Sequence, residues 1–211
     1  MTDNFDFFRE YIKEAGIPAS KNHINDKFFT IDLIRRGKDC PDLPAANYTF
    51  KIYYIDSLDA YDLAVTEIKV LTSVFPFRAY ISVNCKSKMK SQIRVLNKIA
   101  QSIGMGETKK PWKQFSSACQ EIENKNDKRW VVDVDTQVPE DVDQIEHIIK
   151  NCSSKYQPDE IVLCKVKTKN GYHIITRPFN TFEFNNYLEI NHIEDIPEIK
   201  KNHLTLLYED L

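Results

Sequence analysis

Two carboxylates stand two positions apart in the segment RWVVDVDT, as Asp133 and Asp135. On an extended strand, positions i and i+2 point the same way, so the spacing predicts two acidic side chains projecting together, roughly 6–7 Å apart at Cα. The flanking Trp130, Val132 and Val134 read as core. Like charges at that range need a cation or solvent to be tolerable. A hard divalent ion with oxygen ligands, Mg²⁺ or Mn²⁺, meets the need. An ion held there points to phosphate chemistry.

A second group of residues lies downstream. Segment 160–168 reads as a strand, Lys169-Asn170-Gly171 as a turn and 172–177 as the returning strand. If Val162, Cys164 and Val166 face the core, Lys165 and Lys167 face away. If Tyr172 and Ile174 face the core, His173 and Arg177 face away. A three-residue loop with Gly171 left-handed keeps the apolar sets together and aligns Lys167 with His173; a one-residue slip would reverse every side chain. The expectation is one open face carrying Asp133, Asp135, Lys165, Lys167, His173 and Arg177. The carboxylates would hold a metal, and Lys165, Lys167, His173 and Arg177 would grip the oxygens of a triphosphate bridged by it. That face offers no aromatics on its central strands, which disfavours a module that stacks bases there.

The elements that must position these residues form an α+β chain. Strands are expected over 27–36, 48–56 and 77–84, with helices near 5–15, 57–72 and 87–103. Together they make an N-terminal mixed α/β lobe over 1–105. Residues 106–128 connect it to the next lobe, with a short helix near 114–123 and Trp112 packing between lobes. From 129 the rhythm is strand 129–136, helix 139–152, strands 160–168 and 172–177, helix 179–189 and strand 203–209. Pro139 and the acids after it make a helix start. The order β-α-β-β-α-β is the split arrangement of ferredoxin-like and RRM-like domains. It predicts a C-terminal RRM-like lobe over 129–211 with an open sheet face and the first and third strands adjacent.

Val132-Asp133-Val134-Asp135, followed after a helix by Gly171-Tyr172-His173 on a hairpin, resembles the motif pair of the archaeo-eukaryotic primase superfamily. The lobe order resembles that family's catalytic core as well. The resemblance implies a metal-dependent nucleotidyltransferase that makes or extends primers in DNA replication. Asp133 and Asp135 would bind the catalytic Mg²⁺ or Mn²⁺, and His173 would contact the incoming nucleotide's phosphates. Its partners would be a single-stranded DNA template, nucleoside triphosphates and a helicase or accessory primase domain. The family places a third acid further on, for which Asp195, Glu209 and Asp210 are the candidates; none follows the pattern cleanly. No zinc-binding element or helical accessory region is present. The alternatives are a catalytically weak or inert nucleic-acid- or partner-binding relative, and a metal-dependent phosphoesterase or nuclease.

Composition bounds these readings. The chain has 211 residues, 42% hydrophobic and 28% charged, which suits a globular protein with a proper core. A net charge of −2 supplies no global basic field, so nucleic-acid contact must be local. Arg35, Arg36 and Lys38 form one such cluster, placed to touch template or phosphate or else an ordinary charged loop. Lys86, Lys88, Lys90, Arg94 and Lys98 form another, either a backbone-tracking face or a solvated one. No apolar run is long enough to span a membrane, and the N-terminus does not read as a signal peptide. Five scattered cysteines without a CxxC pair suggest reduced thiols and a cytoplasmic or nucleoid-associated protein.

Overall fold

A computed structural model describes residues 1–21, 25–39, 47–106, 111–119 and 128–210. Its helices begin where the sequence supplies caps. Ser57 accepts from the Ala60 amide at 3.1 Å to open α2 (Leu58–Val74), and Ser87 does the same for Lys90 at the start of α3 (Lys88–Gly104). Pro139 opens α5 (Pro139–Asn151) with Glu140 and Asp141 in its first turn. Asn180 caps α7 (Thr181–Ile190) through the amides of Phe182 and Glu183. Helix α1 (Phe5–Glu14) buries Phe5, Phe8, Tyr11 and Ile12, one stripe of an amphipathic helix. The short helices α4 (Pro111–Cys119) and α6 (Pro158–Ile161) complete the set among the described residues. Of the expected connecting helix, 120–123 lies outside the described residues, as does the Trp112 side chain.

The strands form two antiparallel sheets. The first has the order β1 (Thr2–Asp3), β10 (Leu204–Glu209), β4 (Phe77–Ser82), β2 (Lys27–Arg35), β3 (Tyr48–Ile55), with β5 (Lys86–Ser87) also paired to β2. The second has the order β7 (Val162–Lys167), β8 (Tyr172–Thr176), β6 (Trp130–Val134), β9 (Glu198–Lys200). Strands β6 and β8 are neighbours, as the sequence predicts.

The last strand departs from expectation. Segment 203–209 does not close the second sheet. It crosses to the first, where β10 lies between β1 and β4, and the three-residue β9 takes the vacated edge. The boundary expected at 129–211 therefore fails for the final strand, which belongs structurally with the N-terminal lobe.

The open sheet face is also corrected. One core, built on β2, β4, α1 and α2, extends to Val131, Val166 and Ile175 of the second sheet. Val131 and Ile175 are apolar on the face expected to be open, Val166 joins them although it is expected on the opposite, core face, and the first lobe buries all three. A second core, with Trp130, Val132, Val134 and Ile174, lies between the second sheet and α5 and α7. Asn4 joins the sheets directly: its Nδ2 donates to the carbonyls of Lys167 and Leu206, each at 3.0 Å. Cys85, Cys119, Cys152 and Cys164 are free thiols. No helix among the described residues is long and apolar enough to cross a membrane.

The candidate anion site between the sheets

Strand β6 sits inside its sheet, so Asp133 has a neighbour on each side: His173 on β8 and Glu198 on β9. His173 Nε2 lies 3.1 Å from Asp133 Oδ1. Lys200 Nζ lies 2.5 Å from Oδ2. The hydrogen bond from His173, followed by that from Lys200, overcomes partial burial and holds the Asp133 carboxyl well below the usual carboxylate range. Lys200 is pulled down by burial, but its bonds to Asp133 and Glu198 raise it overall.

The histidine is oriented from its other side. Nδ1 lies 2.8 Å from the Thr205 hydroxyl on β10, and both residues are buried. A carboxylate can only accept, so Nε2 donates to Asp133. The crossing of β10 into the first sheet is what brings Thr205 to the imidazole.

Asp133, Asp135 and His173 line a cavity of about 210 Å³ between the sheets. The first sheet contributes Arg36, Arg78, Tyr80 and Leu206, and the β7–β8 loop contributes Thr168, Lys169 and Asn170. Arg78 is buried; its Nη2 donates to Asp39 at 2.8 Å and its Nε lies 3.2 Å from Glu209. Asp135, just past the end of β6, is exposed at the mouth.

Gly171 permits this arrangement. A Cβ there would lie 2.0 Å from the Val134 carbonyl oxygen and 2.8 Å from the Thr136 nitrogen. Its constraint is close approach to the end of β6, not the left-handed turn expected from sequence. The chain reverses at Lys169-Asn170, with the Thr168 amide donating to the Gly171 carbonyl at 2.8 Å. The register slips by one residue from expectation: Lys167 pairs with Tyr172, and Val166 pairs with His173.

That slip moves the lysines to the helix side. Lys165 pairs with Asp143 at 2.6 Å and Glu146 at 2.9 Å on α5. Lys167 is exposed beside Tyr172. Arg177, past the far end of β8, lies 3.5 Å from Glu160 and stacks on Tyr156 at 4.5 Å. Lys165, Lys167 and Arg177 are therefore not brought to the Asp133 cavity. Arg36 is. Arg35 instead lies over the Tyr48 ring at 5.9 Å, and the Lys38 side chain lies outside the described residues. Lys86 is buried and donates to the Cys119 carbonyl, and Lys88 pairs with Asp56 at 2.9 Å, so these two do not belong to a solvated basic face.

The candidates for a third acid separate. Glu209 is buried and committed to Arg78 and Thr2. Asp210 is exposed and does not line the cavity. Asp195 shares a different cavity, also about 210 Å³, with Asp135, Asp141 and Glu194. Among the described residues, no group of three or more His, Cys, Asp or Glu side chains is placed to hold a metal ion.

Sequence reading missed Lys200, Glu198, Arg78, Tyr80 and Thr205. The three-residue β9 carries no alternation signal; Thr205 arrives on the exchanged strand β10, and Arg78 and Tyr80 lie on its neighbour β4, a placement that parity within the second sheet cannot foresee. No family model, curated protein or solved structure matches the chain.

Proposed function

We propose that this chain is a metal-dependent nucleotidyltransferase core of the primase–polymerase type, acting with nucleoside triphosphates on single-stranded nucleic acid. The observation that carries the reading is the Asp133–His173 cross-strand pair in a cavity shared with Asp135, Arg36, Arg78 and Lys169. Arginine and lysine match phosphate oxygens in charge and geometry. Numbered along the chain, the strands of the second sheet run 2-3-1-4, which supports an RRM-like lobe.

The donor set fits a nucleotide-borne ion better than a free one. Mg²⁺ typically takes one or two carboxylates and completes its shell with water and substrate phosphates, so a third protein acid is not required for binding. Asp133 and Asp135 would hold it, with Lys200 giving up Asp133 Oδ2. The ion would supply charge stabilisation to the phosphates. The chain's own residues orient and bind: Thr205 fixes the imidazole, His173 fixes Asp133, and Arg36 and Lys169 offer donors to phosphate oxygens.

Two observations favour a second reading, a binding protein without catalysis: Lys200 already neutralises Asp133, and Glu209 is engaged by Arg78. Primer synthesis and extension on single-stranded DNA, with NTPs or dNTPs and Mn²⁺, separates the two. The proposal expects products that vanish with EDTA and in the double variant Asp133→Ala, Asp135→Ala. Products that survive the double variant would sink it. Salt-dependent, EDTA-indifferent strand binding with no product would establish the second reading.

A further inference from the structure

A second cavity, of about 270 Å³, opens on the same face of the first sheet. Tyr80 and Leu206 line the Asp133 cavity; Ser82 and Leu204, two positions away on the same paired strands, line this one. That offset is about 7 Å along a strand. Asp32 on β2 joins the two, lining the second cavity while its backbone pairs with Tyr80 of the first.

Asp32 stands out chemically. It is 8% exposed, and among the described residues no donor reaches its carboxylate. Burial pushes its carboxyl up to about 6, against the opposing pull of Lys86. The carboxylate lines the cavity, so a ligand that fills the cavity and displaces water from it must supply donors in return. The other walls combine Tyr54, Ile52 and Leu204 with the hydroxyls of Thr30 and Ser82. A ring that is flat and apolar on its faces, with donors on its edge or on an attached sugar, has that complementarity.

We propose that this cavity seats the nucleoside of the nucleotide whose phosphates occupy the Asp133 cavity, with Asp32 accepting hydrogen bonds from the nucleoside. The inference rests on the functional reading above. The donors come from the sugar hydroxyls or from the base edge, and both present hydrogens to a carboxylate. Tyr80 stands between the two subsites, where a nucleotide passes from phosphate to sugar.

Isothermal titration in excess Mg²⁺ tests this, with ATP, GTP, 2′,3′-dideoxyATP and inorganic tripolyphosphate as probes. ATP or GTP should bind the wild-type chain at least about tenfold tighter than tripolyphosphate. Asp32→Asn should remove most of that difference while leaving tripolyphosphate affinity unchanged, and Ser82→Ala should remove part of it. Weakened binding of dideoxyATP relative to ATP assigns the donors to the sugar; equal binding assigns them to the base. Nucleotides that bind no tighter than tripolyphosphate overturn the inference and leave the phosphate site standing, as does an Asp32→Asn variant that weakens both alike. If neither tripolyphosphate nor nucleotide binds, the functional reading itself fails.

Discussion

Asp133 and Asp32 are both carboxylates on central strands of their sheets, yet their surroundings push them in opposite directions. Asp133 has a donor on each oxygen, so it stays ionised and its pKa falls. Asp32 has a lysine nearby but, among the described residues, no hydrogen bond to its carboxylate, so burial dominates and its pKa rises to about 6. The consequences for stability also differ in sign. A group with a raised folded-state pKa contributes most at pH values below its unfolded pKa and loses that contribution as pH rises through the folded value. Stability should therefore fall between about pH 4 and 6 on account of Asp32. Asp32→Asn should abolish that slope and stabilise the fold at pH 8 by up to about 3 kcal/mol, measured by urea unfolding across pH. A slope unchanged in the variant would show that the carboxylate is already satisfied. A residue that costs stability where it stands is a mark of functional placement.

At the scale of elements, the β7–β8 hairpin decides which side chains reach the site. Parity on β6 and β8 was legible, because Val132, Val134 and Ile174 alternate cleanly with Asp133 and His173. The helices expected from 57 and 87 start after Ser57 and Ser87, as local capping chemistry dictates, whereas the helix expected from 179 starts only at Thr181, after its Asn180 cap. The β7 register was not legible. A bulge between Val162 and Cys164 sends those two residues to different cores, and the loop is set by contact with the end of β6. Neither signal is local. Gly171→Ala tests the contact. Its methyl would meet backbone on β6 that no rotamer can move, so the fold should lose about 3 kcal/mol. Denaturant midpoints would measure it, and a cost below about 0.5 kcal/mol would mean the loop can relax away from β6.

At the scale of the whole molecule, the two lobes read from the sequence are not independent. The strand HLTLLYE was legible as a strand, but nothing in it says which sheet it joins. In the structure it fills the gap between β1 and β4, burying Leu206, Leu207 and Tyr208. The first core also claims Val131, Val166 and Ile175 from the second sheet. The cavity inherits this coupling, since Arg36, Arg78 and Tyr80 come from one sheet and Asp133 and His173 from the other. A chain ending at Asn202 would leave β1 without its partner and expose the edge of β4. Two independent lobes would leave 1–105 folded after that truncation; the observed topology does not. Hydrogen exchange should show β2 and β4 amides losing their protection in the truncated chain, together with those of β6 and β8. Native protection retained in β2 and β4 would instead show that the first lobe stands alone. In that case Thr205, and with it the orientation of His173, would be an accessory to the fold and not part of its cooperative unit.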